Sequence, residues 1–224
     1  AYEIGVRLVG SGDVYKRQPL SDAEAARGRV GIPRVLNMYE NYPFWYTFFT
    51  KLHYQVVLSP VSNRKIYEMG IESIPSESEC YPAKLAHGHI EWLIGQHVDF
   101  IFYPALFYER NEFQDANNHY NCPIVTSYSE NIKNNVETIG RGEVVFKNPF
   151  MSFTSPELIA QSLIKEFPDI DASEITDAVN AGWKELEAVR QDMYHKGEEV
   201  IQYIEKNHSR AIVLAGRPYH ICLL

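Results

Sequence analysis

Short apolar runs alternate along this sequence with segments that have the spacing of amphipathic helices. The runs predicted as strands cover residues 29–36, 54–58, 98–103 and 123–126. Between them, apolar residues recur every three or four positions, as on a helix face. No Asn-Gly pair marks a tight hairpin between successive strands. This alternation predicts an α/β fold with a doubly wound parallel sheet, a three-layer arrangement of the flavodoxin or Rossmann type.

The pattern changes to consecutive helices after about residue 150. Ser155-Pro156-Glu157 predicts the start of one helix, and Asp171 with Glu174 predicts the start of a longer one in which Gly197 is a candidate break. The run AIVLA at 211–215 then predicts another strand. We therefore expect an α/β domain over residues 19–148, a helical connector over 149–209, and the truncated start of a second α/β domain over 210–221.

The two ends of the chain have no clear hydrophobic period. Residues 1–18 and 222–224 resemble translated adapter sequence of the kind found at the ends of reading frames assembled from environmental DNA. We expect both to be non-native tails, so they are left out of the fold prediction. The chain between them is then expected to be an internal fragment of a longer protein.

The charge balance excludes some classes of function. The chain carries 21 Lys and Arg against 29 Asp and Glu, a net charge of −8, with no basic run that could follow a phosphate backbone. No apolar stretch approaches the ~20 residues of a membrane span. Three cysteines without a secretory leader indicate a reducing, cytoplasmic location. We therefore expect neither a nucleic-acid partner nor a membrane partner.

The most distinctive stretch is PSESECYPAKLAHGHI at residues 75–90. Pro82 and the apolar spacing that follows predict a helix beginning next to Cys80. The free N–H groups and the dipole at a helix N-terminus favour a thiolate there, and Lys84 adds a positive charge one turn on. The alternative is that Cys80 is a small buried hydrophobic residue.

Three further segments are expected to meet Cys80 at the sheet edge where ligands bind. In open parallel sheets this is the edge formed by the carboxyl ends of the strands. The segments are residues 33–40, the turn 119–122 with Cys122, and residues 216–220. Neither Cys80 nor Cys122 belongs to a Cys-x-x-Cys pair, so a zinc ribbon or a thioredoxin-like motif is not expected.

Four blocks carry a family resemblance. They are GIPRVLNMYENYPFWYTFFTKLHYQVVLS (31–59), PSESECYPAKLAHGHI (75–90), NHYNCPIVTSYSENIKNNV (118–136) and AIVLAGRPYH (211–220). In this order they resemble the dehydratase-like portion of the activase-related proteins of the 2-hydroxyacyl-CoA dehydratase system, the CoA-substrate-specific enzyme activases. The resemblance covers nearly all of residues 31–220. The ATP-hydrolysing activase portion of these proteins has its own glycine-rich loops, and this sequence does not contain them.

The resemblance implies an anaerobe's protein that binds an oxygen-sensitive iron–sulfur cluster, of the 4Fe-4S kind, and takes electrons from an ATP-driven activase domain or subunit. Cys80 and Cys122 match the family's metal ligands. A cubane cluster takes about four thiolates, so the remaining ligands are expected outside this fragment. A CoA thioester or a related small molecule is the implied substrate, and turnover by this fragment alone is not expected.

Several neighbouring side chains fit that chemistry. Hydroxyl and ammonium donors would stabilise an anionic cluster, which makes Ser76, Ser78 and Lys84 candidate cofactor-binding residues. Proton transfer near a substrate needs titratable groups. The candidates for that catalytic role are Tyr39, Glu40, His87 and His89.

Two other functions remain open from the sequence. Zinc could be bound by Cys80, by His87 or His89, and by His119 and Cys122, because thiolate and imidazole are acceptable zinc ligands. The chain could also be a catalytically silent docking module of a larger activase protein, with incidental cysteines.

Overall fold

The computed structural model describes residues 18–113, 115–213 and 215–221. Residues 1–17 of the expected non-native tail at 1–18, and all of the tail at 222–224, therefore lie outside the described residues. Gln18 is described, and its carbonyl accepts a hydrogen bond from the Tyr46 hydroxyl over 2.8 Å. In the described part of the chain, no helix is both long enough and apolar enough to cross a membrane.

A four-stranded parallel sheet forms the centre of the fold. Its strands are β1 (Arg29–Ile32), β2 (Gln55–Leu58), β3 (Phe100–Phe102) and β5 (Val145–Lys147), in the order β2-β1-β3-β5. Every pairing is parallel, with Val30 opposite both Val56 and Phe100. The predicted α/β class with a doubly wound, flavodoxin-like or Rossmann-like parallel sheet is confirmed.

Two of the strands continue after short breaks. Beyond β3 and β5 the chain forms β4 (Ala105–Tyr108) and β6 (Phe150–Ser152), which pair in parallel as a second small sheet. Proline stands in each break, at Pro104 and Pro149, where its missing N–H interrupts the ladder. Tyr103 also lies in the first break, and its backbone N–H donates to the carbonyl of Lys147 over 2.9 Å.

Eight α-helices are described. They are α1 (Met38–Lys51), α2 (Arg64–Gly70), α3 (Tyr81–Ile94), α4 (Pro123–Asn135), α5 (Glu137–Gly140), α6 (Pro156–Glu166), α7 (Ala172–Lys206) and α8 (Pro218–Ile221). A single 3-10 turn, Ile71–Ser73, follows α2.

Helices α1 and α3 cover opposite faces of the central sheet. Phe102 of β3 packs against Trp45 of α1, with ring centroids 4.8 Å apart. Gly31 of β1 faces the other way, because a methyl group added there would lie 3.2 Å from Leu93 of α3. Successive strand residues alternate between faces, so the sheet is enclosed by helices on both sides.

The prediction of a strand at 123–126 is wrong. Pro123 is the first residue of α4, and its buried residues recur at helical spacing: Val125, Tyr128, Ser129 and Ile132. A four-residue apolar run is too short to distinguish a strand from the first turn of a helix. The fourth strand is β5 at the sheet edge, where Val145 is 56% exposed. Its apolar run, Val144-Val145-Phe146, is only three residues long.

Two predictions for the helical part also need correction. Helix α7 runs through Gly197 without a break, since one glycine costs a helix only about 1 kcal/mol. The predicted strand at 211–215 is absent: residues 211–213 and 215 have no regular structure, and Ile212 is 97% exposed. A β-type run without a neighbouring strand to pair with has no partner for its backbone hydrogen bonds.

Candidate functional site

Cys80 lies at the N-terminus of α3, as the sequence predicts. Its backbone is extended (φ −65°, ψ 146°), and Pro82 occupies the first turn. Because the C-terminus of α3 leads into the start of β3, the N-terminus lies at the opposite edge of the sheet, where the parallel strands end. The Cys80 side chain is exposed and caps no backbone N–H. The interpretation of Cys80 as a buried hydrophobic residue is therefore wrong.

Cys122 has the same local arrangement in α4. It precedes Pro123 at the first helical position, its backbone is extended (ψ 137°), and its exposed side chain also makes no capping hydrogen bond. The residue before it, Asn121, donates its backbone N–H to Phe107 of β4 over 3.1 Å. Both cysteines thus lie at helix N-termini at the carboxyl-terminal edge of the strands, where free N–H groups and the helix dipole favour negative charge.

A hydrogen-bonded connection joins the Cys80 loop to the helix that begins at Cys122. Glu79 accepts from the hydroxyl of Tyr128 over 2.5 Å and from the Asn131 side-chain amide over 2.9 Å. Burial and the bond to Glu79 both raise the pKa of Tyr128, which keeps the phenol protonated as the donor. The connection therefore limits how far the two cysteine segments can move apart.

His87 is part of this connection and is fully buried. Its Nδ1 lies 2.7 Å from the Ser73 hydroxyl, and its Nε2 lies 3.1 Å from the Tyr128 hydroxyl. Because the Tyr128 proton goes to Glu79, the Tyr128 oxygen is left to accept from Nε2. Burial lowers the pKa of His87 to about 4, although Glu79 opposes the shift, so the ring is neutral at pH 7.

His89, two residues further along α3, is also buried, and both of its ring nitrogens lie close to serine hydroxyls. Its Nδ1 lies 2.7 Å from the Ser59 hydroxyl and its Nε2 lies 3.0 Å from the Ser62 hydroxyl. Burial lowers its pKa to about 3, and Arg34 lowers it further. Both ring nitrogens of His87 and of His89 are thus occupied inside the protein. The structure therefore does not support either histidine as a proton-transfer residue or as a zinc ligand.

Gly88, between the two histidines, allows α2 to pack closely on α3, and this close packing buries both rings. A methyl group added to Gly88 would lie 1.6 Å from the carbonyl oxygen of Ile66 in α2. Only glycine permits this close approach of α2 to α3. The His-Gly-His sequence is therefore a packing motif whose two rings hydrogen-bond to serines on either side.

Tyr103 and Tyr219 are both buried tyrosines. Burial raises the pKa of Tyr103, and the neighbouring ionisable groups of Tyr219 and Cys80 raise it further. Burial likewise raises the pKa of Tyr219, to which Cys122 adds a smaller contribution in the same direction. Tyr103 is wholly buried, and its hydroxyl has no hydrogen-bond partner among the described residues.

A cavity of about 530 Å³ opens beside Cys122. It is bounded by the N-terminal part of α1, the loop after β4, the middle of α7 and residues 216–218. Its lining includes Tyr39, Glu40, His119, Asn121 and Arg217. Three of the four segments expected at the ligand-binding edge of the sheet thus line a single cavity, and the fourth, the Cys80 loop, contributes no lining residue.

Glu109 is the centre of a polar network along this cavity. It accepts from the side-chain amides of Asn121 at 2.8 Å, Asn41 at 3.3 Å and Asn37 at 3.4 Å. All three amides are at least nine-tenths buried. The Asn121 oxygen in turn accepts from Arg217 over 3.2 Å. Asn37, Asn121 and Arg217 belong to the segments expected at this edge of the sheet, whereas Glu109 and Asn41 lie outside them. Asn37 and Asn41 have the four-residue spacing of one helix face.

Glu40 completes the network through an ion pair with Arg217, 3.1 Å from Nε to Oε1. Burial raises the pKa of Glu40 to about 7, and Glu109 raises it whereas Arg217 lowers it. The carboxyl can therefore gain or lose a proton near neutral pH, and its side chain is about one quarter exposed, at 27%. Of the four candidates for proton transfer, only Tyr39 and Glu40 line the cavity.

Ser76, Ser78 and Lys84, the three predicted donors to a bound cofactor, form hydrogen bonds within the loop that carries Cys80. The hydroxyls of Ser76 and Ser78 are 2.7 Å apart and bond to each other. Lys84 donates to the carbonyl of Glu77 over 2.6 Å. These bonds order the loop that carries Cys80, so their observed role is to shape that loop.

Two exposed cysteines, Cys80 and Cys122, lie among the described residues. Two exposed thiols are about half of the thiolates that a cubane cluster takes. Among residues 18–113, 115–213 and 215–221, no three His, Cys, Asp or Glu side chains converge as a single-metal site. Two thiols are the type of donor that a cluster takes, and the described residues form no complete zinc site.

Comparison with known families gives one match. The family model described as "CoA enzyme activase uncharacterised domain" matches residues 29–222. No curated protein and no solved structure matches the chain. The match covers most of the chain, including both cysteine segments and the cavity.

Proposed function

Because the chain belongs to the family of the CoA enzyme activase uncharacterised domain, we propose that it is a dehydratase-like component of an ATP-driven, low-potential electron-transfer system. In this proposal Cys80 and Cys122 supply two thiolate ligands of an iron–sulfur cluster, of the 4Fe-4S kind. In this proposal the other ligands come from a part of the protein outside this sequence or from a partner subunit. The partner is an ATP-hydrolysing activase domain or subunit, and the location is the cytoplasm of an anaerobe.

The placement of the two thiols is the observation that carries this proposal. They come from separate segments of the chain, yet each is exposed at a helix N-terminus at the same edge of the sheet. Glu79 and Tyr128 connect the two segments. Thiolates need nearby positive potential or a metal to persist, and the two helix N-termini provide that potential. A bound cluster would supply one-electron transfer at low potential.

The cavity beside Cys122 is the proposed substrate site. It combines apolar residues of α7, among them Leu186 and Met193, with the polar network of Glu40, Asn121 and Arg217. That mixture suits a small organic acyl group of a CoA thioester better than a phosphate-rich ligand. Glu40 is the group we propose for proton transfer there, because its pKa of about 7 lets it act as acid or base at neutral pH.

Anaerobic reconstitution with iron and sulfide tests the cluster directly. We expect the parent protein to gain iron, sulfide and a broad visible absorbance, and Cys80→Ser and Cys122→Ser each to lose most of all three. Cys222→Ser is the matched control, because that residue belongs to the expected non-native tail. It should load as the parent does.

Two results would contradict the proposal. If both single serine variants bind as much iron as the parent, the cysteines are not ligands. The docking-module interpretation then replaces the cluster. If metal analysis of anaerobically purified protein finds stoichiometric zinc and no iron, the site is a zinc site completed by residues other than His87 and His89.

A further inference from the structure

Arg217 lines the cavity beside Cys122 with donors that the folded chain does not fully use. Its side chain is 43% exposed, and its Nε lies 3.1 Å from Oε1 of Glu40. The Nε atom is itself buried, yet it makes no hydrogen bond within the described residues, so its N–H is not directed at that oxygen. A guanidinium and a carboxylate pair best fork to fork, with two parallel N–H···O bonds. The contact with Glu40 lacks that geometry, so a better-aligned carboxylate can compete for Arg217.

Asn121 fixes the direction of the Arg217 side chain. Its amide nitrogen donates to the backbone carbonyl of Leu106 over 2.9 Å and to Glu109 over 2.8 Å. A carbonyl and an ionised carboxylate can only accept, so the amide orientation is determined. The Asn121 oxygen therefore accepts from Nη2 of Arg217, over 3.2 Å. Because Asn121 is only 8% exposed, it is a fixed support that holds the guanidinium at the cavity.

Arg110, another arginine of the cavity lining, is already paired. Its Nη2 lies 2.6 Å from Glu112, its Nη1 lies 3.8 Å from Glu187, and its side chain is only 16% exposed. Its Nε also donates to Glu112, over 2.8 Å. Of these two lining arginines, Arg217 is therefore the one that an anion in the cavity can reach.

The cavity also offers an apolar wall. Helix α7 contributes Leu186, Val189 and Met193 to its lining. The volume of about 530 Å³ lies in the lower half of the usual range for small-molecule cavities. A molecule that combines one anionic head group with a short apolar chain matches both features.

We propose that the cavity binds a small organic acid as its carboxylate, and that this carboxylate displaces Glu40 and is held by the guanidinium of Arg217. The inference deepens the proposed function and rests on it, because the acid is the free form of the acyl group proposed for this cavity. Arg217 then selects the charged head group, and the apolar side chains of α7 contact the chain. Asn121 is a positioning residue, because it acts through Arg217.

Displacement leaves Glu40 without its cation. Burial raises the pKa of Glu40 to about 7, although Arg217 lowers it. When a ligand carboxylate occupies Arg217, the pKa of Glu40 rises further, so Glu40 takes up a proton and no longer repels the ligand. The other titratable residues of the lining are Tyr39, Glu109, Arg110, Glu112, His119 and Tyr120.

Isothermal titration calorimetry with hexanoate tests the inference on the metal-free protein at pH 6 and pH 8. Binding at pH 8 requires uptake of one proton by Glu40, so the parent should bind about tenfold more weakly there than at pH 6. Glu40→Gln needs no proton, so it should bind equally at both pH values and about tenfold more tightly than the parent at pH 8. Hexanamide, which has the same chain without the charge, should bind about tenfold or more weakly than hexanoate at pH 6.

Arg217→Gln should weaken hexanoate binding at pH 6 by about tenfold or more, with its melting temperature measured to establish that it folds. Arg141→Gln is the matched control, because it removes an arginine that is 63% exposed and outside the cavity lining. It should bind as the parent does.

Three results would overturn the inference. Equal binding of hexanoate and hexanamide, or unchanged binding by Arg217→Gln, would leave the cavity as an acyl site without a carboxylate anchor. Equal affinities of the parent at pH 6 and pH 8 would show that Glu40 is not displaced. A parent that binds neither probe overturns the inference and the placement of the substrate in this cavity, whereas the cluster is decided separately by the iron content of the cysteine variants.

Discussion

Glu79 accepts a hydrogen bond from the hydroxyl of Tyr128 over 2.5 Å. The residue before Cys80 is thereby connected to the helix that begins at Cys122, across 49 positions of sequence. His87, on the other side of the Tyr128 hydroxyl, extends the connection to Ser73. The relative position of the Cys80 and Cys122 segments thus depends on Glu79, Tyr128 and His87, which are not themselves proposed ligands.

Removing the Tyr128 hydroxyl should weaken the fold and separate the cysteine segments. Tyr128→Phe removes one of the two donors to Glu79 and leaves His87 Nε2 without its partner. Breaking a buried hydrogen bond to a charged group costs about 1–3 kcal/mol. Urea unfolding of the apoprotein measures the loss. Tyr120→Phe is the control, because that ring is 67% exposed, and it should change the free energy of unfolding by less than about 0.5 kcal/mol. Equal stabilities of parent and Tyr128→Phe would contradict the role of this connection.

Gly88→Ala should destabilise the packing of α2 on α3. The added methyl group would lie 1.6 Å from the Ile66 carbonyl oxygen, a backbone atom that cannot rotate away. Overpacking of this kind costs about 1–3 kcal/mol or more. Gly197→Ala in α7 is the control: nothing lies within 4 Å of its added methyl group, so a gain of about 0.5–1 kcal/mol is expected. Thermal unfolding of the two variants should therefore shift in opposite directions.

The two buried histidines should make the protein less stable in mild acid. Their folded pKa values, about 4 for His87 and about 3 for His89, lie below the ordinary value of 6.5. Between these values the unfolded chain binds more protons than the folded chain, so stability falls as pH decreases from 6.5 towards 4. At pH 5 each histidine should cost about 2 kcal/mol relative to pH 7.5. Urea unfolding at the two pH values measures this, and His87→Gln should show a smaller difference than the parent.

Glu40 should have the opposite pH dependence. Its folded pKa of about 7 is above the ordinary value of 4.5. The folded chain therefore binds the extra proton between these values, and the stability from Glu40 is lost as pH rises through 7. Carboxyl-carbon NMR should show one glutamate titrating near pH 7. Arg217→Gln should raise that pKa further, because the guanidinium lowers it in the parent. No shift in the variant would mean that the ion pair is not formed in solution.

Local sequence signals determined most of the helices and the class of fold. Proline in the first turn at Pro82 and Pro156, and the capping residues Ser155 and Asp171, gave helix starts that the structure reproduces. Three of the four predicted strands are in the central sheet, because apolar runs buried on both faces are visible without tertiary information. The position of Cys80 at a helix N-terminus followed from the same local signals, whereas its exposure is known only from the structure.

Tertiary structure decided the partners of each side chain. His87 and His89 look like catalytic residues in sequence, but the Gly88 contact with α2 buries them beside serines. Pro123 begins a helix, although the four-residue run after it suits a strand equally well. Glu109 and Arg217 become part of one network only when the chain brings residues 37, 109, 121 and 217 together. Burial, pKa and hydrogen-bond partners depend on residues distant in sequence, whereas the start of a helix depends on its nearest neighbours.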